Sequence, residues 1–184
     1  MCTSLILKPI FIIAIIIAIG LTAASLFSPG WRSIRNGQDI NMGLFSKSCG
    51  SNNTSFDGDA CQSYWNSRPT WEKWVIALMF VALILELVVL VWSVFSCFCF
   101  CLPSCFSLVT LVAAVATVCL IVAVSLYGGK NSEQIGSVPN STSDWKTESN
   151  VGYSFWLAVA AAGVMCLATL VGSVTSLVST LTPF

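Results

Sequence analysis

The chain has 184 residues, of which 56% are hydrophobic and 9% are charged, with a mean hydropathy of +0.85. This length predicts one domain, and this composition excludes an ordinary soluble globular protein and indicates an integral membrane protein. Eight Lys and Arg balance eight Asp and Glu, so the net charge favours no nucleic acid partner. Histidine is absent, which removes the commonest general base and metal ligand. We therefore expect no enzyme activity, no metal and no cofactor.

Four apolar segments are long enough to cross a bilayer, since a hydrocarbon core of about 30 Å needs a helix of about 20 residues. We predict spanning helices over residues 9–27, 74–95, 106–127 and 155–177. A cleaved signal peptide is the alternative for the first segment, because Lys8 precedes it and Thr22-Ala23-Ala24 resembles a cleavage site. The segment is longer than a signal-peptide core of about 7–15 residues, which favours a retained helix.

Two polar segments, residues 28–73 and 128–153, lie on one side of the membrane, opposite both termini and the short link 96–105. The positive-inside rule alone would place these loops in the cytoplasm, because the first loop carries five basic residues: Arg32, Arg35, Lys47, Arg68 and Lys73. N-glycosylation sequons, which occur only in these two loops, indicate the opposite: Asn52, Asn53 and Asn140. We predict a plasma-membrane protein with extracellular loops and cytoplasmic termini.

Cysteine usage agrees with that orientation. Cys49 and Cys61 are the only cysteines of the first loop, and an oxidising exterior would let them form one disulfide. Such a bridge stabilises a short loop by about 2–4 kcal/mol in the chain-entropy model. A pair of free thiols is the alternative.

The first loop also contains an ordered set of aromatic and small residues. Trp31 follows the first helix closely, and Gly43-Leu44-Phe45 precedes Cys49 and Cys61. Gly43 permits a positive φ, while Trp31, Leu44 and Phe45 suit the boundary between lipid and water. Interfacial anchoring alone is the simpler explanation of such aromatic residues, and it also accounts for further tryptophans: Trp71, Trp74, Trp92, Trp145 and Trp156.

This order resembles the W, G-L-W, C, C signature of the claudin superfamily, which also includes epithelial membrane proteins, peripheral myelin protein and the gamma subunits of ion channels. Phe45 stands where the family usually has a second Trp, and Arg68 is similar to the family's arginine ahead of the second helix. The resemblance implies an all-α membrane protein, a four-transmembrane helix bundle with a small extracellular β-sheet formed mainly by the first loop. In that family the cysteine bridge pins the sheet.

Within the predicted spans, small residues recur four apart at Ala168, Gly172 and Ser176, and again at Gly20 and Ala24. Such rows let helices approach closely, and we expect packing inside the bundle, with oligomer contact as the alternative. Glu86 is the exception, because a charged side chain near the middle of a span costs several kcal/mol. We expect a neutral carboxyl hydrogen-bonded to a group such as Thr117; an ion or proton path is the alternative.

The two cytoplasmic segments carry candidate modification and docking sites. Four juxtamembrane cysteines are candidates for palmitoylation, with a metal site as the alternative: Cys97, Cys99, Cys101 and Cys105. The C-terminal Thr182-Pro183-Phe184 has the pattern of a PDZ ligand, with Thr182 and Phe184 as the recognised positions. An uninterpreted tail is the alternative there.

Two functions are consistent with these features. The first is adhesion or a paracellular barrier at cell–cell junctions, with copies self-associating in the membrane (cis) and across cells (trans). The second is an auxiliary subunit that binds an ion channel or receptor and alters its trafficking or gating. Membrane lipid is an expected partner in both cases, and a PDZ scaffold is a candidate partner.

Overall fold

The fold is taken from a computed structural model of the chain. It describes residues 2–28, 30–35, 39–42, 69–98, 103–130 and 150–181. Four long helices account for most of these residues: α1 (Cys2–Phe27), α2 (Thr70–Phe98), α3 (Pro103–Lys130) and α4 (Tyr153–Leu181).

The prediction of four membrane spans is confirmed. Within the described residues, four stretches are long and apolar enough to cross a membrane: Lys8–Phe27, Thr70–Ser96, Ser107–Lys130 and Tyr153–Leu177. Residues 70–73, 128–130 and 153, which the sequence places in loops, are helical, as are 96–98 and 103–105 of the predicted link. The prediction counted only apolar residues, whereas a helix satisfies its own backbone and can continue past the hydrocarbon core.

The helices form a closed ring in chain order. α1 packs mainly against α4, α2 packs mainly against α3, α3 also packs against α4, and a smaller contact joins α1 to α2. Buried residues recur at intervals of three and four, as in the series Val75, Met79, Ala82, Glu86 and Val89 of α2. The opposite sides are equally apolar but exposed, which is the pattern of helices surrounded by lipid.

Small side chains lie where the helices come closest. Ala168 is fully buried, and a Cβ added to Gly172 would lie 3.1 Å from Cε2 of Phe11 and 3.0 Å from Oγ1 of Thr110. Packing inside the bundle is therefore confirmed for Ala168 and Gly172. The same expectation is wrong for Gly20, which is exposed and has no atom within 4 Å of an added Cβ among the described residues.

Three short strands lie at the end of the bundle where α1 ends and α4 begins. They are β1 (Arg32–Arg35), β2 (Asp39–Met42) and β3 (Asn150–Val151), in the order β2-β1-β3 with both pairings antiparallel. Arg32 pairs with Met42 on one side and with Val151 on the other. β1 thus joins the polar segment after α1 to the polar segment before α4.

The Gly172 contact generates the first prediction. We expect Gly172→Val to lower the free energy of unfolding by about 1–3 kcal/mol, because the added carbons must displace Phe11 or Thr110. Gly20→Val is the matched control, since it makes the same change on an open surface and should leave stability nearly unchanged. Unfolding in mixed micelles measures both, and equal effects would contradict the packing argument.

Candidate functional site

The most elaborate set of contacts in the described residues surrounds Trp31, at the junction of the bundle and the strands. The Trp31 side chain is 1% exposed. Its ring meets that of Tyr127 edge to face at 4.7 Å between centroids and that of Phe155 at 6.3 Å, while Trp71 lies 6.0 Å from Tyr127. These four residues, here called the Trp31 cluster, bring α2, α3 and α4 together around the residue that precedes β1.

Hydrogen bonds satisfy the indole N–H and the carbonyl oxygen of Trp31. Its Nε1 donates to the carbonyl oxygen of Ser25 at 2.6 Å, close to the end of α1. Its own carbonyl oxygen accepts from the Tyr127 hydroxyl at 3.2 Å and from the Gly152 backbone N–H at 3.0 Å. A buried indole needs such a partner for its N–H, so these bonds explain how the largest side chain can occupy this position.

Ser154, in the first turn of α4, ties the start of that helix to the end of α1. Its backbone N–H donates to the Gly30 carbonyl oxygen at 3.0 Å, and its hydroxyl oxygen accepts from the Gly30 N–H at 3.1 Å. The hydroxyls of Ser28 and Ser154 are 2.5 Å apart, and the Ser25 hydroxyl donates to the Ser154 carbonyl oxygen at 2.8 Å. The first residues of a helix have unpaired backbone groups, and here the neighbouring chain segment supplies the partners.

Two glycines permit this close approach. A Cβ on Gly30 would overlap the ring of Tyr153, and a Cβ on Gly152 would overlap the carbonyl oxygen of Gly30. The two backbone segments therefore lie in direct contact, and glycine is required at both positions for steric reasons.

This arrangement is suited to holding a surface in place rather than to catalysis. It positions β1 and β3 relative to the four helices through aromatic packing and hydrogen bonds. Among the described residues there is no group of three or more acidic or cysteine side chains that could hold a metal ion. The serine hydroxyls bond to each other and to backbone groups, an arrangement that positions chain segments.

The structure corrects the expectation that Trp31 anchors the protein at the boundary between lipid and water. Trp31 is buried because its indole N–H has a backbone acceptor inside the protein. By contrast, Trp74, Trp92 and Trp156 are 63%, 49% and 64% exposed, as expected of anchors in a membrane interface.

Glu86 is fully buried, but its partner differs from the one expected. Thr22 of α1 donates from Oγ1 to Oε1 of Glu86 at 3.1 Å. Thr117 donates instead to the carbonyl oxygen of Ala113 within its own helix, at 2.8 Å. Oε2 of Glu86 has no hydrogen-bond partner among the described residues. Thr117 was the wrong partner because the sequence indicates only the depth of a residue in the membrane. It does not show that Glu86 faces α1.

Most other predicted site residues lie outside the described residues, and their roles remain predictions. They are Gly43, Leu44, Phe45, Cys49, Asn52, Asn53, Cys61, Arg68, Cys99, Cys101, Asn140, Thr182 and Phe184. Cys97 and Cys105 belong to the described backbone of α2 and α3.

Sequence reasoning missed most partners of Trp31. Pro29-Gly30 is a turn signal, and Gly152-Tyr153-Ser154 places a serine at the start of an apolar run, as at many helix N-termini. The first pattern indicates where α1 ends, and the second indicates where α4 begins. Nothing in one sequence pairs them across more than 120 residues.

The Trp31 cluster generates the second prediction. We expect Trp31→Ala to lower the free energy of unfolding by about 3–5 kcal/mol, as for other buried aromatic residues. Trp31→Phe keeps an aromatic ring but leaves the Ser25 carbonyl without its donor, so it should cost about 1–3 kcal/mol. Trp74→Ala, on the exposed side of α2, is the control for losing a tryptophan. Equal losses for Trp31→Ala and Trp74→Ala would contradict a special role of the cluster.

The third prediction concerns the hydrogen bond between Thr22 and Glu86. A double-mutant cycle of Thr22→Val and Glu86→Leu should give a coupling of about 0.6 kcal/mol, the typical size within membrane proteins. The matched control cycle uses Thr117→Val in place of Thr22→Val. There the two changes in the free energy of unfolding should be additive. Coupling in the Thr117 cycle alone would contradict the observed pairing.

Comparison with known proteins agrees with the architecture. The family model described as "Tight junction protein, Claudin-like" matches residues 1–180. No match is found among curated proteins. The match covers α1, α2, α3, the three strands and all of α4 except its last residue, Leu181. The chain therefore belongs to the claudin-like family.

Proposed function

We propose that this protein works at contacts between cells, where copies assemble within one membrane and across two membranes into an adhesive or paracellular barrier structure. The observation that supports this best is the Trp31 cluster. It joins β1 to the bundle through the Ser25 carbonyl, the Tyr127 hydroxyl and the Gly152 N–H. A sheet attached in this way can act as a rigid surface for another protein, because less ordering entropy is lost on binding.

The proposal places both polar segments, and with them the sheet, outside the plasma membrane and both termini in the cytoplasm. Sequons at Asn52, Asn53 and Asn140 support this orientation, as does the restriction of Cys49 and Cys61 to the first loop. A bridge between these cysteines would then stabilise the part of the loop that follows β2.

Charge does not favour a strongly selective ion path along the first loop. Its acidic residues are Asp39, Asp57, Asp59 and Glu72, and its basic residues are Arg32, Arg35, Lys47, Arg68 and Lys73. Four negative and five positive charges nearly cancel, so the proposed barrier should not discriminate strongly between small cations and anions.

Lateral assembly would use the lipid-facing sides of the helices. Leu111 of α3 and Leu170 of α4, each 63% exposed, are examples of apolar groups that contact either membrane lipid or a second copy. Without a hydrophobic driving force in lipid, such contacts depend on shape and remain individually weak. Many copies in one membrane, facing copies in another, could add weak contacts into a stable assembly.

The fourth prediction tests this function. Cells expressing either of two tagged copies are mixed with non-expressing cells, all lacking their own junctional strands, and protein density is imaged at each type of contact. We expect enrichment only where two expressing cells meet. Trp31→Phe should reduce this enrichment when compared at equal surface density, because it loosens the attachment of β1, whereas Trp74→Phe should not.

A uniform surface distribution of the wild-type protein would contradict the contact role. It would favour the alternative, an auxiliary subunit of an ion channel or receptor. Purification of the protein from its native membrane would then be expected to recover that channel or receptor in constant ratio.

A further inference from the structure

Glu86 is a buried carboxyl group that the proposed contact role does not use. Its side chain is fully buried within the membrane-spanning part of α2. Oε1 accepts a hydrogen bond from Thr22 of α1 at 3.1 Å, whereas Oε2 has no partner among the described residues. Buried polar atoms without partners are rare and costly, so this oxygen marks Glu86 as a candidate functional group.

No cation neutralises Glu86 within the part of the chain that the structure describes. α2 packs against α1 and α3, whose described titratable residues are Cys2, Lys8, Cys105, Cys119, Tyr127 and Lys130. The two lysines are at the ends of their spans, and thiol and phenol groups ordinarily keep their protons at neutral pH. α4 has no acidic or basic side chain. A carboxylate here would be an isolated charge in an apolar interior, so the closed bundle accommodates the neutral acid.

Hydroxyl groups connect Glu86 to the end of the bundle that carries the strands. Thr22 and Ser25 are both fully buried and lie three residues apart on α1, about 4.5 Å along its axis. The Ser25 hydroxyl donates to the carbonyl oxygen of Ser154 at 2.8 Å. Ser28, three residues further along, is only half-buried, and its hydroxyl lies 2.5 Å from that of Ser154. Water at this end of the bundle can therefore exchange protons with Glu86 along a short polar route.

The same part of α1 also joins Glu86 to the strands mechanically. The Ser25 carbonyl accepts from the Trp31 indole N–H at 2.6 Å, and this bond sets where β1 starts. The contact between α1 and α2 is smaller than the other contacts of the ring, so this seam is the one that opens most easily. A displacement of α1 at Thr22 would reach Ser25, because close-packed interiors transmit strain over such a short distance.

We propose that Glu86 is a proton-binding site that controls how the strands are attached to the bundle. With the proton bound, Thr22 holds the neutral carboxyl and the seam between α1 and α2 is closed. When the proton passes to water at the end that carries the strands, the carboxylate draws water into the seam and α1 moves away from α2. The hydrogen bonds of Ser25 to Trp31 and Ser154 then weaken. Low pH thus favours the closed junction, and the junction loosens as the pH rises.

Proton control of the junction is independent of the role at cell contacts and of the orientation in the membrane, so each can fail without the other. The absence of histidine makes it measurable. Between about pH 5.5 and about pH 8, exposed carboxyl groups are already ionised, whereas Lys, Tyr and most Cys side chains still hold their protons. The α-amino group also titrates there, but it is the same in every variant.

The experiment compares the full-length protein in lipid nanodiscs at about pH 5.5 and about pH 8. Infrared difference spectra should show that the band of a neutral carboxyl is lost as the pH rises, and Glu86→Gln should abolish this change. Hydrogen exchange with mass spectrometry follows the junction through the bonded backbone N–H groups of Gly30, Gly152 and Ser154. Relative to an unprotected peptide at the same pH, exchange should become about tenfold faster in the wild type, which is one pH unit of linkage, and change less than about twofold in Glu86→Gln.

Two further comparisons identify the groups responsible. Glu72→Gln makes the same change of carboxyl to amide in the first turn of α2, and it should keep both pH responses. Thr22→Ser and Thr22→Val test the link to α1 without changing the carboxyl. Serine keeps the hydroxyl donor and should keep the full response of the junction, whereas valine removes the donor and should reduce that response to about twofold.

Three results would each overturn the proposal. The first is that no loss of a neutral carboxyl band depends on Glu86. The second is that this band is lost while hydrogen exchange at the junction stays unchanged. The third is that the junction responds equally to pH in the wild type and in Glu86→Gln.

Discussion

The hydrogen bond from the Trp31 indole N–H to the Ser25 carbonyl is the contact on which the described junction between helices and strands depends. Ser25 lies in the last turns of α1, where carbonyl groups begin to lack intrahelical partners. The bond at 2.6 Å satisfies an indole donor that would otherwise be buried without an acceptor, at a cost of about 1–3 kcal/mol. It also turns the chain back onto the bundle, so that Tyr127 and Gly152 can bind the Trp31 carbonyl and β1 starts at a defined point.

The same constraint explains why two distant polar segments act as one surface. β3 has two residues and could not hold its place by strand pairing alone. Its position is set by the chain that follows it, because Gly152 lies against Gly30 and Ser154 bonds to Gly30, Ser25 and Ser28. The ends of α1 and α4 therefore carry the sheet between them. This rigid attachment is the physical basis for proposing a contact role between cells.

The outer surfaces of the helices are less constrained, because lipid accommodates apolar side chains of any shape. Two features of α2 differ from this background. Glu86 is buried on the inner side and accepts a hydrogen bond from Thr22, which offsets part of the cost of a carboxyl group within a span. On the outer side, apolar side chains from Ile84 to Phe95 line a shallow groove that opens toward the lipid. The two features divide the helix into a side that specifies packing and a side that meets lipid.

The number and approximate position of the spans were determined by the sequence alone, because about 20 consecutive apolar residues have few structures open to them in a bilayer. The order of Trp31, Gly43-Leu44-Phe45, Cys49 and Cys61 likewise indicated the family that the match over residues 1–180 establishes. Only the tertiary structure decided which sides of the helices face inward, since helices that are apolar all round carry no useful periodicity. It also decided that Trp31 is buried, that Glu86 pairs with Thr22 and that Gly30 lies against Gly152. These contacts join residues far apart in the chain, and local sequence patterns contain no information about such pairs.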